Sequence, residues 1–427
     1  MQKNKIGFVF NFIDFRNDIR EIIFRISKKR SVVIFVKKKN LELTKKLFKE
    51  NIDIEIREFY ENKLILNNIY KRIFNWFGII PKSKKNFLLM KYFLIINEKV
   101  FLKKFKNVIL FNLSRLFPKF ISYDNYLNLI SSHYNEISSD IEEFFFITKI
   151  ESDQFLSYLI KRNFKVTSYV YSWDHPAKHN SFSKKINYLV WNDWIRNDLT
   201  YLQNIKKEKI KIIGSSQFCY IYDYIKNFGH EKRLINYDYL YFGCAVGIPK
   251  IAKQEVEIII NLSKILKKNN INLKILVRPY PVLENWSIYE KLNLYENVIV
   301  ENDFRNINLS IKKDKILEKY NKIKFSAAFL HLGTTLGIEA CFFDSPSILI
   351  DFGYNKNNNF MNVKNTIHQY QNEKYIIKNN LNYFDTENKF INFIMDNNNR
   401  EYLDFNLKIR ESFNLRSFDR IVEEFNF

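Results

Sequence analysis

Phe325-Ser-Ala-Ala-Phe-Leu-His-Leu-Gly333-Thr334-Thr335-Leu336-Gly337-Ile338-Glu339 is the stretch on which the fold turns. An apolar run ends in a glycine, and two hydroxyl residues then open a second apolar pattern. The stretch therefore reads as strand, tight turn, helix. Free N–H groups at such a helix start, with the macrodipole behind them, make a natural seat for phosphate. Glu339 falls about one turn into the helix, where a carboxylate can accept from a pair of ribose hydroxyls. An ordinary threonine cap followed by a buried polar glutamate has the same spacing, so both readings stand at this point.

Outward from that stretch the pattern repeats. Strands are expected within Tyr237–Gly243, Leu273–Pro281, Asn297–Asp303 and Pro346–Phe352, with a long amphipathic helix over Lys250–Lys268 and helices in the last forty residues. Upstream, Ile6–Phe12 and Ser31–Val36 are short and apolar, and Ile52–Phe59 alternates. Strands over Phe144–Ile150, Lys165–Tyr171, Ile186–Trp191 and Lys209–Gly214 are separated by helices over Ser152–Lys161 and Trp194–Leu202. Apolar strands alternating with helices indicate parallel sheets covered on both faces, and 427 residues exceed what one core usually serves. The expected class is α/β, with two Rossmann-like doubly wound domains facing a cleft. The first spans 1–225 with a helical basic insertion at about 60–121, and the second spans 237–385. The charged segment Tyr222–Asn236 reads as the linker, and helices in 386–427 are expected to pack back on the first domain.

The insertion is aromatic and basic. A helix there places Phe87, Met90, Leu94, Phe101 and Phe105 near one face, interspersed with Lys91, Lys99, Lys103, Lys104 and Lys106. Such a helix suits an anionic membrane surface; it equally suits an aromatic core helix with a solvated basic edge. The net charge of +22, from 68 basic against 46 acidic residues, favours polyanionic partners without choosing one. Codon bias toward lysine accounts for part of it. Cys219, Cys244 and Cys341 have no paired spacing, which fits a reducing cytoplasm rather than disulfides or zinc. The N-terminal apolar run meets Asp14 early and reads as a strand, not a signal peptide. No apolar stretch reaches about 18 residues without a charge, so no membrane span is expected.

Several groups could carry chemistry. Gly243 and Gly247 flank a loop after a strand, where glycines let backbone approach a ligand or simply make a turn. Arg278, between a strand and two prolines, is placed to grip phosphate or to form a structural salt bridge. Ser172-Trp173-Asp174-His175-Pro176, then Lys178-His179-Asn180, follow a strand and belong over a sheet's carboxyl edge. Asp174 is the first candidate for a general base and His175 the second, with His179 nearby; a turn-forming or capping carboxylate is the alternative for Asp174. The two histidines lack a third ligand at metal spacing, so no metal is expected. The P-loop, GxSxG and HExxH signatures are all missing from the sequence.

Taken together these pieces resemble bacterial surface and capsular polysaccharide glycosyltransferases of the GT-B type, over Phe144 to Asp351. Ser172-Trp-Asp-His175 resembles that group's Ser-Trp-Asp-Asn loop. Val190-Trp191-Asn192-Asp193 resembles its Val-Trp-Asn-Glu, and Gly214-Ser-Ser-Gln217-Phe218 its Gly-Ala-Pro-Gln-Phe-Asp. Val277-Arg278-Pro279-Tyr280-Pro281 is similar to Arg-Pro-His-Pro, and Gly333 to Glu339 to a Ser/Thr-rich helix start with a ribose-binding glutamate. The chain departs at Tyr280 for His, His175 for Asn and Cys219 for Asp. The resemblance implies an acceptor-binding first domain and a nucleotide-sugar-binding second domain. In the second, Glu339 would meet ribose, Thr334 and Thr335 the phosphates, and Arg278 the leaving group, with Gly243 and Gly333 giving room. Trp173, His179, Asn192, Gln217 and His368 would then line the acceptor side or cleft.

The expected activity is metal-independent transfer of a sugar from a nucleotide-sugar donor to a growing surface polysaccharide or lipid-linked acceptor. It needs no cofactor and takes place in the cytoplasm, at the inner membrane face. Its rivals are a sugar-nucleotide epimerase of the same fold, an inactive GT-B scaffold and a basic nucleic-acid-binding protein. The last leaves the Glu339 helix unexplained, so no nucleic-acid partner is expected.

Overall fold

Short strands of Val, Ile and Phe can bury both faces only if helices cover them on both sides. A computed structural model of the chain meets that requirement twice. It describes residues 5–9, 17–49, 53–61, 63–78, 95, 98, 100–116, 120–130, 140–147, 152–173, 176, 179, 181–229, 238–244, 249–280, 285–302, 313–355, 381–396 and 400–425. The first sheet contains β1 (Lys5–Val9), β2 (Val32–Val36), β3 (Ile54–Glu58), β4 (Ile141–Ile147), β5 (Lys165–Tyr169), β6 (Asn187–Val190) and β7 (Ile210–Ile212), in the order β3-β2-β1-β4-β5-β6-β7. All its pairings are parallel. Among its helices are α1 (Asp18–Ser27), α2 (Lys38–Leu47), α3 (Ile65–Phe77), α4 (Phe101–Leu116), α5 (Tyr123–Leu129), α6 (Asp153–Lys161) and α7 (Asp193–Gln203).

After α8 (Cys219–Phe228) the scheme starts again. The second sheet has β8 (Tyr239–Gly243), β9 (Lys274–Arg278), β10 (Val298–Val300), β11 (Phe329–His331), β12 (Ser347–Ile350) and β13 (Tyr383–Phe384), in the order β10-β9-β8-β11-β12-β13. It too is parallel throughout. Around it stand α9 (Pro249–Lys268), α10 (Trp286–Tyr289), α11 (Lys313–Lys324), α12 (Thr335–Ala340), α13 (Glu387–Met395) and α14 (Arg400–Ser412). In each sheet the chain begins centrally, builds to one edge, then returns and builds to the other. That is the doubly wound order, and the expected class is the observed one: two Rossmann-like parallel-sheet domains.

Of the described residues, the first unit takes 5–9 and 18–216 together with the last helix, α15 (Phe418–Glu424), and the second takes 17 and 217–417. Residues 222–228, read as linker from their charge, are the last seven residues of α8. Tyr220 and Ile221 lie about one helical turn before Tyr224, and all three are buried, with Tyr224 packed on Tyr320 and Phe343.

Glycine is scarce, and asparagine takes over its commonest backbone task. Asn163, Asn204 and Asn270 follow α6, α7 and α9 with φ of 58°, 55° and 55°, the left-handed conformation that ends helices and that asparagine tolerates best after glycine.

The two faces of the second sheet differ in chemistry. One carries Leu240, Phe242, Ile275, Val277, Leu330, Ile348 and Ile350, all buried against α9 in a continuous apolar core. On the other, the register aligns Tyr241 with Leu276 and Phe329, and Gly243 with Arg278 and His331. This second face, aromatic and polar, is the one α11 covers: the Tyr239 hydroxyl donates to the Lys322 carbonyl at 2.9 Å.

Candidate functional site

In a doubly wound sheet ligands gather outside the strand carboxyl ends where the winding reverses. In the second sheet that point lies between β8 and β11, so Gly243 and the turn after His331 flank it. His331 holds the turn. Its Nδ1 accepts from the Gly333 N–H at 2.9 Å. Ser347 Oγ gives its one hydrogen to the Gly337 carbonyl at 2.8 Å, and so can only accept from His331 Nε2, 3.1 Å away. This network assigns a neutral imidazole with its hydrogen on Nε2. Gly333 adopts φ +107°, a conformation side chains resist. Thr334 then caps α12, its hydroxyl accepting from Leu336 N at 2.8 Å, and Thr335 is half-buried at the first helical position.

Both glycines here answer to packing. A Cβ on Gly243 would stand 2.5 Å from Phe329 Cζ, and one on Gly337 2.4 Å from His331 Cε1. At Gly243 the space a Cβ would take is filled by the Phe329 ring.

Arg278 ends β9 beside a carboxylate. Its Nη1 is 3.9 Å from Glu301, which also accepts from the Tyr241 hydroxyl at 2.8 Å and from Lys322 Nζ at 2.7 Å. Glu301 is buried, and two cations with a hydroxyl compensate for that. Burial, with Glu301 close by, pushes the Tyr241 phenol well above its ordinary value, so it remains a donor. Glu339 is 1% exposed and takes Lys319 Nζ at 2.5 Å. Gly243, Arg278, Gly333, Thr334, Thr335 and Glu339 thus all belong to the second unit, with Arg278 and Glu339 each engaged by an internal ion-pair partner.

Asp174, His175 and His368 lie outside the described residues, as do Lys99 and the stretch 79–94 that holds Phe87, Met90, Lys91 and Leu94. What flanks the two catalytic candidates is described. Trp173 is buried. Gln203, on the last turn of α7, donates its amide to the carbonyls of Pro176 and His179, pinning the loop to that helix. Asn192 is the α7 cap, its Oδ1 accepting from Ile195 N at 3.3 Å. Gln217 is buried in the turn before α8 and begins the second unit.

Three polar centres escaped the sequence reading. His331 is a lone polar residue at the end of an apolar strand and Glu301 is the first polar residue after one, a signal that was there to use. Asp18 gave none. It is fully buried at the start of α1, accepting from the Tyr171 hydroxyl at 2.8 Å and from Ser216 Oγ at 2.5 Å. Ser216 N donates in turn to the Tyr169 hydroxyl at 2.8 Å. Asp18 therefore ties the loop ends of β5 and β7 to α1. Among the described residues no group of three or more His, Cys, Asp or Glu is placed to hold a metal ion, and no helix is long and apolar enough to cross a membrane.

No protein-family model matches the chain, and no curated protein does. Solved structures do. A glycosyltransferase from Rickettsia africae ESF-5 is 12% identical, with 99% of this chain and 97% of that chain covered, at a TM-score of 0.46. The UDP-GlcNAc 2-epimerase from Methanocaldococcus jannaschii is 11% identical, with 99% of each chain covered, at 0.46. The wall teichoic acid polymerase TagF is 10% identical, with 98% of this chain and 87% of that chain covered, at 0.43. The fold assignment rests on the two strand orders and stands without these likenesses.

Proposed function

We propose that the protein is a glycosyltransferase that takes a nucleotide-sugar donor at the carboxyl edge of its second sheet and an oligosaccharide or lipid-linked acceptor on its first unit. One observation carries the reading. The reversal point of a doubly wound sheet is bordered by a threonine-capped turn, which His331 braces, and by Arg278 at the end of β9. Preorganised donors of this kind stabilise charge as it develops on a departing phosphate and need no reorganisation during the reaction. Thr334 and Thr335 would meet the phosphates, Arg278 the leaving group and Glu339 the ribose. Asp174 would accept the acceptor hydroxyl's proton.

The test is thermal denaturation with UDP, CMP, CDP, GDP and dTDP in turn. A cognate nucleotide at about 100 times its Kd adds about 2.7 kcal/mol of stability. Thr335→Asp is the diagnostic variant: a carboxylate at the first helical position suits the helix but repels a phosphate. The expected result is one nucleotide raising Tm in the parent and not in Thr335→Asp, whose own Tm is unchanged or higher. Asp174→Asn should keep that shift and lose transfer. No shift with any nucleotide would sink the donor site and leave an inactive scaffold. Conversion of the free donor to a new sugar nucleotide without acceptor would identify an epimerase.

A further inference from the structure

The basic insertion offers a surface that nothing in the transferase reading uses. On α3 the inner face is satisfied: Phe74 stacks on Tyr126 at 4.7 Å between centroids and packs on Tyr123 at 5.4 Å, and Asn67 beside it is buried. The opposite face is apolar and open. Ile65, Leu66 and Ile69 fall there, with Ile65 77% exposed. On α4 no residue with a described side chain is buried. Phe101, Leu102, Phe105, Ile109 and Leu116 are all exposed, Phe101 by 78% and Leu116 by 80%. At 3.6 residues per turn they share one arc of roughly 120°, and Lys104 and Lys106 fall on either side of it. Phe101 and Phe105 are thus not core residues. Monomeric proteins rarely leave apolar side chains of this size contiguous and uncovered without a partner.

Charge chooses the partner. Neither helix contains an Asp or Glu, while Lys63, Lys71, Arg72, Lys103, Lys104 and Lys106 are exposed on or beside them. A second copy of the chain would bring like charges together across the contact. A single-stranded nucleic acid would want stacking rings, whereas most of the apolar side chains here are aliphatic. A bilayer with anionic headgroups satisfies both features, since aliphatic chains enter the acyl boundary and lysines at the rim meet phosphates. We infer that the outer faces of α3 and α4 form a docking surface for an anionic lipid bilayer. The inference does not depend on the donor site.

Flotation of the full chain with vesicles tests it. The protein is expected to float with phosphatidylcholine–phosphatidylglycerol vesicles and to stay behind with phosphatidylcholine alone. Phe105→Asp with Ile109→Asp should weaken the partition about tenfold or more, with an unchanged urea midpoint because both residues are exposed. Lys104→Glu with Lys106→Glu should abolish the preference for anionic vesicles. Three results would overturn the inference. The parent could fail to float with either vesicle, or the aspartate pair could float as well as the parent. The chain could also prove to be a dimer that the aspartate pair dissociates while flotation is absent, which would give this face to self-association. None of these readouts involves a nucleotide, so failure here and failure of the donor site are distinguishable.

Discussion

Gly337 shows how one missing methyl organises the turn after β11. An alanine inside a helix normally gains about 0.5–1 kcal/mol over glycine. Here the added carbon would meet His331 Cε1 at 2.4 Å, and overpacking of a filled site costs about 1–3 kcal/mol. Gly337→Ala is therefore expected to lower the urea midpoint, against the helix-propensity trend; a midpoint at or above the parent's would show that the ring yields without cost. His331 matters for the same reason. It joins the Gly333 amide to Ser347 on β12, so the turn and the adjacent strand keep one geometry. Buried cysteines complete the picture. Burial pushes the Cys341 thiol up to about 12, and Cys219 and Cys244 are buried as well, so these are packing residues rather than nucleophiles.

Among the elements, α11 is highly charged and holds one carboxyl well below its ordinary value. Lys315 and Lys322 donate to Glu318 and hold its carboxyl down at about 2, against an ordinary value of 4.5. A carboxyl lowered on folding contributes stability that is present above its ordinary value and lost as pH falls toward the lowered one. Glu318→Gln should thus have a lower urea midpoint than the parent at neutral pH, and the gap should close between pH 4.5 and 2. A gap independent of pH would assign Glu318 a packing role instead. The elements also show what was legible in the sequence. Apolar runs such as Val32–Val36 and Lys274–Arg278 announced strands because both faces of a covered parallel sheet need the same kind of residue. β13 was missed because two residues, Tyr383 and Phe384, carry no period. The last part of α8 was missed because its charges hid Tyr224, which only the packed structure sets against Tyr320 and Phe343. At the site, Thr334 as a helix cap could be read from sequence alone. The engagement of Arg278 with Glu301 and of Glu339 with Lys319 could not, since both depend on strand register and on where α11 lies.

Across the whole molecule, the chain closes on its beginning. From α14 in the second unit it returns to lay α15 on the first. There Arg25 bonds Asp419 at 2.6 Å, Lys211 meets Glu424 at 3.0 Å, and the Phe425 ring lies 5.2 Å from Phe145 and 5.9 Å from Tyr169. Phe425 is 1% exposed, and truncating such a ring costs about 3–5 kcal/mol. Phe425→Ala should therefore destabilise the first unit by that much, read as protease cleavage within residues 18–216 at lower urea. Unchanged cleavage would mean that α15 only rests on the sheet. The return also sets an order of events during synthesis. Residues 217–417 separate the body of the first unit from its last helix, and a ribosome working at about 5–20 residues per second needs about 10–40 s to cross them. For that interval Phe8, Phe145 and Tyr169 wait without the ring that covers them, and the nascent first domain is the natural client of a chaperone until Phe425 arrives.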